Sequence, residues 1–510
     1  MRRTPTLFTV ALFSLALIGV AKAEDSTGTA LTVYSSADPA SFDPQQFISQ
    51  QSQGYNPTAA WQVPGFGVVK EIRSIDLQSG SNELRFTDVA QFIDPTTVSF
   101  VDLSDPKTSV SEQNFQFDLA NSEKILQRYV DKEVSVSVQK GDSAEEIRGT
   151  LVSAAGNEIV LRTPGGIQLL SRSGPQIKLG DLPGGLITKP TLVWKVSSAT
   201  PGKHKIRTTY QTAGITWRSD YNLILNGQDT AADLNAWVTL MNLSGSSYQN
   251  AALKLIAGDV QRVRPSSSRY EKNARSLMAV QDAAPEGFQE KSFFEYHLYS
   301  LPHRIDVLSN STQQLTLFPT AKDLKVEKIL LYNGLPDGFY WNNSDSPQTD
   351  RNFGNSSNKK LDVYIRFENK ENNKMGMPLP AGKVRVYKLD DADGSLEFIG
   401  EDLIDHTARD EKVLIKLGQS FDVVGERTQT NYSIDVNAHR ITESFKIQLR
   451  NHKDVAQKVV IKEALYRWAS WEISAKSDPF EKVDARTVNF NVDVPARGEK
   501  TVTYTVKYSW

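Results

Sequence analysis

The sequence predicts a mainly β fold class: consecutive antiparallel β-sandwich domains with a small, bent, barrel-like insert, one short helix and a C-terminal immunoglobulin-like domain. Apolar and polar residues alternate with period two in many short segments, for example residues 361–367, 384–387, 445–449 and 488–492. Successive side chains of a strand point to opposite faces, so this alternation indicates strands with one buried face. Turn residues separate these segments, as in antiparallel sheets.

Residues 1–23 have the pattern of a signal peptide. Arg2 and Arg3 precede an apolar run from Leu7 to Ala21, and Ala21-Lys22-Ala23 fits the small-x-small pattern of a cleavage site. The run is shorter than the roughly 20 residues that span a bilayer, which disfavours the alternative of a membrane anchor. We therefore expect a periplasmic or secreted protein, with no transmembrane segment after signal cleavage.

Residues 24–187 are predicted to form an N-terminal β domain that contains the helix and the insert. The helix is expected over residues 122–130, because Ser122 is a good N-cap, Glu123 favours the positive helix end, and apolar residues recur at 125, 126, 129 and 130. Short strands broken by glycines follow from 133 to 182. Their spacing predicts a small, strongly bent barrel-like insert.

The remaining chain is predicted to form two further sandwiches. The central one is expected in two parts, 188–263 and 293–430, joined by a flexible linker over 264–292 that is rich in Ser, Ala, Pro and charged residues. Residues 431–510 are assigned to the immunoglobulin-like domain. Its last segment, TVTYTVKYSW, alternates strictly, and an aromatic end of this kind also occurs on the closing strand of an outer-membrane β-barrel. Uneven strand spacing and long polar linkers favour the sandwich.

Composition disfavours several classes of function. Cleavage after Ala23 would remove Arg2, Arg3 and Lys22, leaving 55 basic against 60 acidic residues, a balance that does not attract nucleic acid. There is no cysteine, which rules out thiol catalysis and thiolate metal sites. The six histidines are scattered, and no nucleophile elbow, phosphate loop or dinucleotide fingerprint occurs. We therefore predict no cofactor, no metal site and no catalytic residue.

An acidic region between residues 400 and 427 is the strongest candidate for a ligand site. It contains carboxylates, one histidine and arginine side chains of the kinds used in acid–base chemistry or cation binding. These side chains also have ordinary structural uses in turns and surface ion pairs. The candidate binding cluster comprises Asp405, His406, Glu411, Asp422, Glu426 and Arg427.

Several motifs in the second half of the chain resemble a known family. They are residues 212–221 (TAGITWRSDY), 242–248 (NLSGSSY), 253–260 (LKLIAGDV), 379–387 (LPAGKVRVY), 404–407 (IDHT), 421–423 (FDV), Glu426-Arg427 and the final Tyr-Ser-Trp. This part, about residues 190–510, resembles an uncharacterised bacterial envelope family, a domain of unknown function related to the mucoidy-inhibitor proteins. The resemblance implies exported, sandwich-rich proteins with no established reaction, and the mucoidy label suggests a link to exopolysaccharide.

These observations lead to one expected function and two alternatives. The expected function is that of an exported, non-enzymatic binding or scaffolding protein of the cell envelope, whose partner is an envelope protein or a polysaccharide and not nucleic acid. The first alternative is a carboxylate-dependent hydrolase or carbohydrate-active enzyme using Asp405, Glu411, Asp422 and Glu426, since two carboxyl groups suffice for glycoside hydrolysis. The second is an outer-membrane β-barrel.

Overall fold

The computed structural model describes residues 27–35, 43–52, 63–117, 120, 122–140, 143–174, 176–181, 186–258, 260, 288–335, 346–355 and 357–510. The predicted signal peptide and most of the predicted linker lie outside these residues. The described part is mainly β, which confirms the predicted fold class. It contains two α-helices, α1 (Pro44–Ser52) and α2 (Ser122–Arg128). Neither described helix has the length and apolar character needed to cross a bilayer.

The strands of the first half precede residue 213. They are β1 (Gly28–Tyr34), β2 (Phe66–Leu77), β3 (Gly80–Thr87), β4 (Ile93–Asp102), β5 (Ser109–Gln116), β6 (Glu133–Lys140), β7 (Ser143–Ser153), β8 (Glu158–Thr163), β9 (Gly166–Ser171), β10 (Gln176–Lys178), β11 (Thr191–Ser198) and β12 (Gly202–Thr212).

The strands of the second half begin at residue 215. They are β13 (Ile215–Leu225), β14 (Ala231–Asn242), β15 (Tyr248–Ala257), β16 (Gln289–Phe293), β17 (Tyr296–Val307), β18 (Ser311–Asn333), β19 (Lys360–Glu368), β20 (Gly382–Leu389), β21 (Leu396–Ile404), β22 (Lys412–Asp435), β23 (Arg440–Asn451), β24 (Gln457–Ala464), β25 (Trp471–Lys476), β26 (Glu481–Lys482), β27 (Thr487–Val494) and β28 (Gly498–Ser509).

Four sheets organise these strands. A seven-stranded sheet has the order β16-β17-β15-β1-β2-β12-β4, and a three-stranded sheet has the order β3-β11-β5. The largest sheet follows the path β21-β20-β13-β14-β18-β19-β22-β23-β28-β25, with β24 pairing with the end of β18 and joining β27 and β26. β1 runs parallel to β15 and antiparallel to β2. Strands from both sides of residue 188 therefore share one sheet.

Two hydrophobic cores lie along the largest sheet. The first core packs the seven-stranded and three-stranded sheets against β13, β14 and their neighbours, and it buries Trp194, Trp217 and Tyr221. The second core lies between the β22-β23-β28 part of the sheet and the β24-β27 strands, and it buries Phe445 and Phe490. Apolar burial of this extent is the main favourable term in folding.

β18 and β22 are long enough to serve both cores. Leu324 of β18 and Ile415 of β22 are buried in the first core, whereas Tyr332 and Val423 on the same two strands are buried in the second. The domain boundary predicted between residues 430 and 431 falls inside β22. Similarly, the described end of the predicted linker, from residue 289, belongs to β16.

The insert forms a separate unit with its own small core. Its strands have the order β10-β6-β7-β8-β9, and α2 contributes Leu126 to a cluster with Val136, Leu151 and Leu161. The backbone N–H of Ala120 donates to the carbonyl oxygen of Ile187 at 2.8 Å. The insert therefore leaves and rejoins the main fold at adjacent points.

The C-terminal strand is buried on one face, as its alternation predicts. Val502, Tyr504, Val506 and Tyr508 are at most 2% exposed. β28 lies between β23 and β25, pairing antiparallel with both. It is therefore an internal strand of the second core.

Candidate functional site

The six residues of the predicted binding cluster divide into two groups in the structure. Asp405, His406 and Glu411 are exposed near the start of β22, and the other three residues lie near the middle of that strand. Lys412 and Val424 of β22 pair with opposite ends of β19, at Glu368 and Lys360. Those ends are eight positions apart, about 26 Å at about 3.3 Å per residue. The two groups are thus separated along the sheet.

Several of these residues make ordinary structural contacts. His406 Nδ1 accepts a hydrogen bond from the backbone N–H of Ala381 at 3.0 Å. Glu426 forms an ion pair with Arg450 at 3.3 Å. Within the described residues, no group of three His, Asp or Glu side chains is placed to hold a metal ion. Ligand binding by the six residues stays a prediction.

Arg427 belongs instead to a buried network in the second core. Its Nε lies 2.9 Å from Oε2 of Glu463, and the Tyr504 hydroxyl donates to the same oxygen at 2.5 Å. A second ion pair joins Arg467 Nε to Glu443 Oε2 at 2.7 Å, with both side chains fully buried. Each charge is paired, as buried charges must be.

The two buried arginines hold the segment of residues 348–354 against the second core. The Arg467 guanidinium donates to the carbonyl oxygens of Gln348 and Asp350 at 2.8 and 2.7 Å, and Arg427 Nη1 donates to the Gly354 carbonyl at 2.9 Å. Arg427 therefore supports the fold from inside and does not face solvent.

A polar cavity of about 630 Å³ lies elsewhere, where the N-terminal strands meet the turn after β14. Its volume falls within the roughly 300–1,000 Å³ that is typical of small-ligand sites. The residues that line this polar cavity are Gly28, Thr29, Glu71, Ile72, Arg73, Asp88, Val89, Gln91, Thr188, Lys189, Pro190, Gly245, Ser246, Ser247, Gln249 and Ser309.

The turn of residues 242–248 shapes one wall of the polar cavity. Asn242 Oδ1 accepts hydrogen bonds from the backbone N–H and the hydroxyl of Ser244, at 3.0 and 2.7 Å, and its Nδ2 donates to the Ser246 carbonyl at 2.9 Å. Gly245 has φ +81°, and a Cβ there would lie 2.5 Å from Cβ of Gln91. Asparagine and glycine are therefore needed at these two positions.

Four charged residues on the wall form two ion pairs. Glu71 and Arg73 lie 2.5 Å apart, and Asp88 and Lys189 lie 2.7 Å apart. Glu71 is only 6% exposed. Burial raises the pKa of its carboxyl group, the nearby Asp88 adds to this, and Arg73 opposes it. The wall thus carries balanced charge beside many hydroxyl and amide groups.

Sequence reasoning missed the polar cavity because its lining comes from residues 28 to 309. The Asn242–Tyr248 motif stands out in the sequence only through its family resemblance. Its Asn-x-Ser-Gly-Ser pattern does signal a tight turn, but it does not reveal which strands face that turn.

Comparison with known proteins assigns more than half of the sequence to a family. No curated protein matches the chain. A family model described as Domain of unknown function (DUF4139) matches residues 206–510. The match includes the turn of residues 242–248 and the whole second core, whereas β1 and β2 precede it. Because the match covers more than half of the sequence, the chain belongs to this domain-of-unknown-function family.

Proposed function

We propose that this protein is an exported, non-enzymatic binding protein of the cell envelope, and that its polar cavity takes a hydroxyl-rich ligand of the exopolysaccharide class. The observation that supports this proposal most directly is the composition of the cavity wall. It combines two compensated ion pairs with serine, threonine and glutamine side chains. Hydroxyl groups of a saccharide both donate and accept hydrogen bonds, so they match such a mixed wall.

The paired charges favour binding over catalysis. A general acid or base must be free to exchange its proton with the substrate, whereas Glu71 and Asp88 are each bonded to a cation. The raised pKa of Glu71 is a property that catalytic acids share. The binding test therefore also measures whether a bound polysaccharide is hydrolysed.

The test uses thermal unfolding of the chain from Glu24 to Trp510 with a panel of neutral and acidic polysaccharides and peptidoglycan fragments. A ligand of the folded state raises the melting temperature by mass action. Thr188 is exposed on the cavity wall, so Thr188→Trp should abolish the shift. Thr428→Trp is the matched control, because Thr428 is exposed on β22 and does not line the cavity.

Three results would contradict the proposal. The first is a panel in which no ligand shifts the melting temperature, and the second is a shift that survives Thr188→Trp. The third is release of new reducing ends from a bound polysaccharide, which would indicate a glycoside hydrolase. Export rests on the signal pattern of residues 1–23, and recovery in an osmotic-shock fraction tests it separately.

A further inference from the structure

A second, smaller cavity is lined by side chains of both hydrophobic cores. It has a volume of about 230 Å³ and is lined by Leu225, Val363, Ile365, Ile399 and Leu417, among others. Leu225 and Ile365 belong to the first core, against which Ile399 and Leu417 also pack, whereas Val363 packs against the second. We call this space the aliphatic cavity. It is smaller than the roughly 300 Å³ at which drug-sized sites begin, so it suits a small ligand.

Two lysines converge on one carboxylate beside these aliphatic side chains. Lys328 Nζ lies 2.5 Å from Oδ2 of Asp229, and Lys388 Nζ lies 2.6 Å from Oδ1. All three residues line the aliphatic cavity. Asp229 is held in the left-handed region, at φ 59°. Two positive charges and one negative charge leave this group with a net positive charge.

The lysines retain capacity for another acceptor. Each ammonium carries three N–H donors, and one hydrogen bond from each goes to Asp229. Burial acts to raise the pKa of Asp229, but the hydrogen bonds and charges of the two lysines outweigh this and lower it. The carboxylate therefore stays ionised at neutral pH and fixes both ammonium groups at the cavity.

We propose that the aliphatic cavity binds a free amphiphile with an anionic head and a short alkyl chain, such as a medium-chain carboxylate. The head accepts hydrogen bonds from the remaining N–H donors of Lys328 and Lys388, whose first hydrogen bonds go to Asp229. The alkyl chain contacts Val363, Ile399 and Leu417. These three side chains are only half-buried in the free protein, so the alkyl chain removes apolar surface from water. A small cavity accommodates one short chain and not the two chains of a phospholipid.

The test measures binding of octanoate to the protein from Glu24 to Trp510 by calorimetry. Acetate, which has the carboxylate head without the long alkyl chain, and octanol, which has the alkyl chain without the charge, are measured in the same way. We expect octanoate to bind, acetate not to bind, and octanol to bind more weakly than octanoate. Lys328→Gln and Lys388→Gln should each weaken octanoate binding at least tenfold and leave octanol binding unchanged. Lys374→Gln is the matched control, since Lys374 lies in an exposed ion pair with Asp323.

Leu417→Trp should fill the aliphatic cavity and block both octanoate and octanol. If this variant does not fold, the two lysine variants still decide the question. The proposal is overturned if octanoate does not bind, if acetate binds equally well, or if both lysine variants bind octanoate like the unmodified chain. Binding to anionic phospholipid vesicles without octanoate binding would also overturn it, by assigning the lysines to a membrane surface.

Discussion

At the scale of single residues, the two buried ion pairs show how the second core tolerates charge. Glu443 and Arg467 have no exposed side-chain surface, so removing one partner leaves the other charge without compensation. We expect Glu443→Ala to lower the free energy of unfolding by about 3–5 kcal/mol. Chemical denaturation monitored by circular dichroism measures this loss.

The control is the ion pair of Asp454 and Arg497, whose side chains are 73% and 75% exposed. Asp454→Ala should leave the denaturation midpoint unchanged, because water and salt screen such a pair. Equal effects of the two substitutions would contradict the role assigned to burial. Replacing Glu443 and Arg467 together by Met should not restore stability, because Arg467 also holds the carbonyl oxygens of residues 348 and 350.

Two glycines with the same backbone conformation provide a further residue-scale prediction. Gly354 and Gly394 both have φ +76°, but a Cβ at Gly354 would lie 2.4 Å from Cζ of Tyr466, whereas one at Gly394 meets no atom of the described residues within 4 Å. Both Ala variants share the cost of a left-handed residue, about 1–2 kcal/mol. Gly354→Ala should lose about 1–3 kcal/mol more through overpacking. Denaturation of the two variants side by side gives the difference, and equal losses would argue against tight packing of residue 354.

At the scale of elements, the insert is the part that can be removed. Its hydrophobic cluster is separate from the two main cores, and Ala120 and Ile187 are joined by a backbone hydrogen bond at its base. We expect replacement of residues 122–185 by a short Gly-Ser linker to leave β5 paired with β11 and to change the melting temperature by only a few degrees. Loss of cooperative melting would show that the main fold needs the insert.

Helices and strands could be predicted from the sequence wherever the residues that determine them are neighbours in the chain. The alternation of the last ten residues predicted β28, and the Ser122 cap and apolar spacing predicted α2, which ends two residues earlier than expected, at Arg128. α1 was not predicted, because the segment PQQFISQQS has only two large apolar residues in nine and no helical apolar stripe.

The candidate cluster could not be resolved from sequence, since it grouped residues that are close along the chain. Neighbouring residues of a strand point to opposite faces. Glu426 therefore meets Arg450 at the surface, whereas Arg427 turns inward to Glu463, 36 positions away. A partner so distant along the chain cannot be identified from the residues around Arg427.

At the scale of the whole molecule, the long strands couple the two cores. β18 and β22 each contribute buried side chains to both, so opening one core removes strand partners from the other. We expect the two cores to unfold together, as single cooperative units do. Hydrogen exchange at increasing denaturant should give β13, in the first core, and β28, in the second, the same free energy of opening, with a lower value for β7 and β8 in the insert.

A substitution in one core sharpens this prediction. Val506 is fully buried in the second core, and Val506→Ala removes two carbon atoms, at a cost of about 2 kcal/mol including the cavity left behind. If the cores open together, the protection of β13 falls by the same amount as that of β28, although Val506 does not belong to the first core. Lys507→Ala, at the next and exposed position of β28, should change neither. A fall confined to β28 and its neighbours would mean that the second core opens independently while β18 and β22 stay paired in the first.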